Sequence, residues 1–154
     1  MKRSYSLLIS IFLPFFIAGI TYFSIHNNID LYKTLLLPKN LVINSYIYVF
    51  FWSIQYLILG CASYLIYQTE NPDTRKVLIL YGFQLLLLYL WPIVFFNIKD
   101  YLLVNIIQLF CWGLSIIMIY TFYKIRRAAG YLIVPYFIWV SYMLYFHFQI
   151  FMLN

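Results

Sequence analysis

Charge is what this chain has least of. Of its 154 residues only 9% are Asp, Glu, Lys or Arg, with 4 acidic and 10 basic side chains in all. A soluble domain carries about a quarter charged residues, so a water-facing globule is excluded. Cysteine is nearly absent: Cys61 and Cys111 form no CxxC pair, which rules out a disulfide scaffold and a thiol redox motif. The histidines, His26 and His147, belong to no HExxH pair, and no GxSxG elbow occurs. Hydrolytic and metal catalysis therefore have no visible apparatus, and neither a catalytic nor a metal-binding set is expected. There is no internal repeat and no low-complexity tail.

What remains is apolar and aromatic. Mean hydropathy is +0.88 and 66% of residues are hydrophobic. There are 17 Tyr, 15 Phe and 4 Trp. A membrane-crossing helix needs about 20 apolar residues, and five segments meet that length, near residues 5–24, 41–67, 77–96, 101–123 and 131–151. All fourteen charges fall between or beyond them. Stretches such as Tyr81-Gly82-Phe83-Gln84-Leu85-Leu86-Leu87-Leu88 do not alternate, which argues against a membrane β-barrel. The expected fold is thus all-α, a single domain of five transmembrane helices surrounded by lipid. Lys2-Arg3 before the first run resembles a signal peptide. The run extends to Ser24 past Pro14 with no small-x-small site, however, so a retained span is expected.

Basic residues set the expected orientation. With the N-terminus cytoplasmic, Lys2, Arg3, Arg75, Lys76, Lys124, Arg126 and Arg127 lie inside, and only Lys33, Lys39 and Lys99 outside. The net charge of +6 then reads as a topogenic and anionic-lipid signal, and its dispersion at helix ends gives no nucleic-acid footprint. Three connections are short, so consecutive helices should be antiparallel neighbours, with Pro72 terminating the second span's turn. The exception is 25–40, where Asp30–Leu37 could form a helical turn or two. That loop is either a lid over a site or a loose connector.

Ion-coupled transporters and proton pumps carry ionisable residues at membrane depth; none of the five spans carries Asp, Glu, Lys or Arg. The aromatics, in contrast, sit deep. Trp normally collects at the interface, yet Trp52 and Trp139 fall near the middle of their spans, and Trp112 is also deep. Tyr48, Trp52, Tyr56, Gly60 and Tyr64 recur every fourth residue on the second helix. Gln84, Leu88, Trp91 and Phe95 share a face of the third, and Tyr136, Trp139, Met143 and His147 share one of the fifth. With Tyr32 from the loop, these converging faces compose a pocket for a flat, largely apolar ligand. The alternative is that the stripes are helix packing, with Gln84 and Gln108 as interhelical glue. Cys61 and Cys111 read as reduced buried thiols, a disulfide requiring their helices to touch.

Several motifs resemble one family. The stretch from Ala128-Ala129-Gly130 through Pro135-Tyr136-Phe137-Ile138-Trp139-Val140-Ser141-Tyr142 resembles the last helix of the TspO/MBR family, and the closing Leu153-Asn154 is similar to its usual ending. Trp91-Pro92-Ile93-Val94-Phe95-Phe96 with Gln84 upstream resembles the third-helix motif. The Trp52, Tyr56, Gly60, Tyr64 spacing resembles the second. Departures are Ile43-Asn44-Ser45-Tyr46 in place of Pro-Pro-x-Trp, Leu88 and His147 in place of Asn, Ile107 in place of an acidic residue, and Met143 in place of a small one. No Lys or Arg follows Tyr145, so the cholesterol-recognition pattern of animal members is incomplete.

The resemblance implies a bacterial cell-membrane protein, often a homodimer, whose partners are lipid and a tetrapyrrole. It implies no required cofactor. Protoporphyrin IX or a haem-like macrocycle would sit as ligand beneath the first long loop, with its carboxylates near Lys33 or Lys39. Sensing or carriage is the first reading. Light-dependent porphyrin breakdown and a structural subunit without ligand are the alternatives. A lone His147 reads first as a satisfied interior imidazole rather than a haem ligand.

Overall fold

The computed structural model describes residues 2–154, with side chains from Tyr5 onward. Five long helices follow one another: α1 (Lys2–Ile25), α2 (Ser45–Tyr67), α3 (Thr74–Ile93), α4 (Tyr101–Ile125) and α5 (Arg127–Leu153). A 3-10 segment, His26–Lys33, follows α1, and a π turn, Val94–Ile98, ends α3. No strand occurs among the described residues. All five helices are long and apolar enough to cross a membrane, and helices of this kind satisfy their own backbone groups in hydrocarbon. The protein is an integral membrane bundle. Its outer surface is apolar and aromatic: Ile9, Phe12, Phe16 and Phe23 on α1 are each more than 60% exposed, as lipid-facing positions are.

Two boundaries differ from the sequence reading. The second helix starts at Ser45 rather than near 41, although Leu41, Val42 and Ile43 are apolar. The reason is a cap: Asn44 Oδ1 accepts the Tyr46 N–H at 2.9 Å. In the loop, the helical part is 26–33 rather than 30–37, and 34–44 runs irregularly. Asp100 caps α4 in the same way, accepting from Leu103 N. A single residue, Arg126, links α4 to α5.

The helices close into a ring in the order α1, α2, α5, α4, α3, each packed chiefly on its two ring neighbours. The expectation that short loops join neighbouring helices therefore holds for α3–α4 and α4–α5, and α1 also packs on α2 across the long loop. It fails in large part for α2 and α3, which touch only lightly despite their short turn. The α1–α2 and α4–α5 seams are close. A Cβ added at Gly60 would lie 2.8 Å from the Ile11 Cα, and one at Gly130 would lie 2.6 Å from the Tyr123 Cβ. Gly60 thus does not line the interior face of Trp52. Each four-residue step overshoots a helical turn by about 40°, so two steps rotate the stripe from the bundle's centre toward α1.

Candidate functional site

The interior of the ring is organised in tiers. At the deepest, fully buried Gln84 of α3 donates through Nε2 to the Tyr136 hydroxyl of α5. Gln84 Oε1 is buried with no partner. Tyr56 of α2 packs between Phe15 of α1 and Trp52. Leu88, 1% exposed, lies one turn beyond Gln84.

Above this come three tryptophans from three helices. Trp52 stacks on Trp91 at 5.8 Å and 22°, and meets Trp139 edge-on at 5.9 Å. Trp139 also stacks on Phe51 at 5.1 Å and lies against Tyr48 and Tyr142. The indole N–H groups of Trp91 and Trp139 are buried and have no acceptor. Trp52 Nε1 has the Tyr48 hydroxyl as its polar neighbour, outside good hydrogen-bond geometry. A buried indole N–H without a partner is costly, and most find one.

The third tier holds His147, 1% exposed, edge-on to Trp91, Phe95 and Phe146. Met143, fully buried one turn before it, accepts through its carbonyl from the imidazole. Tyr32 from the 3-10 segment closes this tier, lying over Phe95, Phe96 and Phe146. Both Phe95 and Phe96 face inward because α3 widens there: Lys99 N bonds the Val94 carbonyl in π fashion, soon after Pro92 has removed a backbone donor.

The long loop is fastened over this end at three places. Asn97 Nδ2 donates to the Ser24 carbonyl, and its Oδ1 accepts from Asn28, each at 2.9 Å. Asn154 both accepts from Leu36 N and donates to Leu36 O, each at 3.0 Å. The Tyr142 hydroxyl donates to the Leu41 carbonyl. Of the two lid cations, Lys33 is paired with Asp30 at 2.6 Å, whereas Lys39 is exposed and unpaired among the described residues. Each neutral bond contributes about 0.5–1.5 kcal/mol, so the strap is secured but can open. Asn97→Ala should speed amide hydrogen exchange across 26–34 several-fold. Unchanged exchange there shows that Asn97 does not hold the loop.

All twelve residues named from the sequence thus fall in one continuous region of α2, α3, α5 and the loop. Tyr142 and Phe146 were missed although they lie three and seven residues beyond Trp139 on its own face. Phe96, Asn97 and the Asn154 clasp carried no periodic signal. Trp112 stands apart: its Nε1 donates to Ser141 Oγ at 3.0 Å as glue between α4 and α5. Cys61 and Cys111 are free thiols.

Fold and interior together define an integral membrane protein with aromatic faces gathered inside its spans. Sequence comparison is specific. The chain matches the TspO/MBR family over residues 10–153 and belongs to it. It is similar to the tryptophan-rich protein TspO of Chlorobaculum tepidum, with 30% identity over 107 residues covering 67% of this chain and 66% of the relative. The aligned region thus spans about two thirds of that relative's length.

Proposed function

We propose that the protein binds a flat, largely apolar tetrapyrrole such as protoporphyrin IX among Trp52, Trp91 and Trp139, as a membrane sensor or carrier. The observation that carries this reading is the set of three tryptophans from three helices, two with unpartnered indole N–H groups, gathered under a strapped loop. Aromatic faces suit a planar macrocycle, and the free N–H donors suit its polar edges. Lys39 is the loop cation left to meet a carboxylate. The loop clasps are few enough for the strap to lift and admit a ligand. Seven basic residues at one end support a cytoplasmic N-terminus in a bacterial membrane in this reading.

A second reading is favoured by the contacts themselves. The rings pack against one another, Phe51 on Trp139 at 5.1 Å being the tightest pair with near-parallel planes, as in a structural subunit with no ligand. Titration of the purified protein with protoporphyrin IX in detergent decides between them. Saturable quenching of tryptophan fluorescence at near-stoichiometric ligand is expected. Quenching that rises linearly, as with free tryptophan in the same detergent, leaves only the structural reading.

A further inference from the structure

Of the two histidines, His26 is exposed at the start of the 3-10 segment, whereas His147 lies at the heart of the upper tier. His147 Nδ1 sits 2.8 Å from the Met143 carbonyl oxygen. A carbonyl only accepts, so Nδ1 carries the hydrogen and the neutral ring keeps its lone pair on Nε2. That Nε2 is buried with no hydrogen-bond partner. The Trp91 indole N–H, on a ring 4.9 Å away, is also unpartnered, so the two atoms do not satisfy each other. The ring's orientation is fixed from several sides, by Trp91, Phe95 and Phe146 edge-on and by the carbonyl behind it. The backbone carbonyl of His147 is itself held by Asn105 Nδ2 at 3.3 Å.

An imidazole with Nδ1–H on a backbone carbonyl and a free, oriented Nε2 lone pair is the arrangement of a metal-ligating histidine. No group of three His, Cys, Asp or Glu suited to a metal ion occurs among the described residues. One imidazole holds a metal firmly only when the metal arrives with its other positions already filled. A metallated tetrapyrrole supplies four ring nitrogens around its iron and leaves the axial positions open. Three of the imidazole's neighbours, Trp91, Phe95 and Phe146, are aromatic rings, which suit the flat faces of such a ligand.

We propose that His147 Nε2 is an axial ligand to the iron of a haem-type tetrapyrrole, so that this chain prefers the iron-bearing macrocycle to the metal-free one. The inference rests on the tetrapyrrole reading above and narrows it to a ligand class. Tyr32 covers Phe95 and Phe146, two of the rings around the imidazole, so the ligand reaches Nε2 when the loop lifts.

The test compares haemin with iron-free protoporphyrin IX, on the detergent-purified chain and on His147→Asn and His26→Asn. With haemin, the unsubstituted chain should give a shifted Soret band and the magnetic circular dichroism of imidazole-ligated iron. His147→Asn should lose that signature and bind haemin at least tenfold more weakly, while its affinity for protoporphyrin IX changes less than threefold. The retained protoporphyrin affinity also shows that the variant is folded. His26→Asn should match the unsubstituted chain in every respect. The proposal is overturned if haemin binds without an imidazole signature, if His147→Asn weakens both ligands equally, or if the signature follows His26. Saturable protoporphyrin binding without haemin preference removes this inference and leaves the broader function standing. Failure of both ligands to saturate removes the two together.

Discussion

Trp139→Ala is expected to weaken saturable protoporphyrin IX binding at least tenfold, and Trp139→Phe about threefold. Trp139 is the residue on which the aromatic site converges, touching Tyr48, Phe51, Trp52 and Tyr142 from two other positions on α2, one on α5 and the central stack. An aromatic pair contributes about 0.5–1.5 kcal/mol beyond its burial, and a tenfold change in affinity corresponds to about 1.4 kcal/mol. Losing one face of a stacked ligand is therefore enough to reach tenfold, whereas phenylalanine keeps a smaller stacking face. Truncating a buried tryptophan also costs stability, about 3–5 kcal/mol, so the phenylalanine variant is the cleaner test. Fluorescence titration of the remaining tryptophans, with thermal melts in detergent alongside, measures both. Equal affinity for all three proteins would place the ligand away from Trp139.

A second large effect, on stability alone and away from the aromatic tiers, is expected at Gly130. An alanine Cβ there would stand 2.6 Å from the Tyr123 Cβ, 2.7 Å from its Cα and 2.8 Å from its backbone nitrogen. These atoms belong to the helix rather than to a flexible side-chain end, so α4 and α5 must separate. Arg126 alone joins the two helices and gives no slack. Overpacking commonly costs about 1–3 kcal/mol, and backbone overlap puts Gly130→Ala at or above the upper end. Gly113→Ala and Gly82→Ala are the matched comparison, since nothing lies within 4 Å of a Cβ at either position. Those two should be neutral or slightly stabilising, because alanine favours helix over glycine by about 1 kcal/mol. Circular dichroism melts in one detergent measure all three. A Gly130→Ala midpoint equal to that of Gly113→Ala would show that the α4–α5 seam yields without cost.

Sequence made the five spans legible because hydrocarbon leaves so few options: charge is excluded and length is set. It also located the site's aromatic faces, since helical spacing puts Trp52, Trp91 and Trp139 on stripes that the ring order brings inward. Ring order itself was hidden. The short turn after Tyr67 suggested that α2 and α3 pack together, but α1 and α5 flank α2 instead. Apolar Leu41-Val42-Ile43 extended the second helix on paper, while one asparagine cap ends it in fact. The loop clasps join residues as far apart as Leu36 and Asn154, a separation that no local pattern encodes. His147 shows the limit most clearly. Spacing put it on the right face, and a lone histidine there read as satisfied; only the geometry shows one nitrogen bonded and the other bare.

The ring order has a consequence for how the protein is made. Helices enter the membrane in chain order, so α1 to α4 are in place before α5 is synthesised. Until then α2 and α4 border an unfilled gap, and Trp52 and Trp91 have lipid where Trp139 and His147 will stand. Trp139, Met143 and His147 arrive only with the helix that packs between α2 and α4, so a nascent chain stalled before α5 lacks that whole side of the aromatic interior.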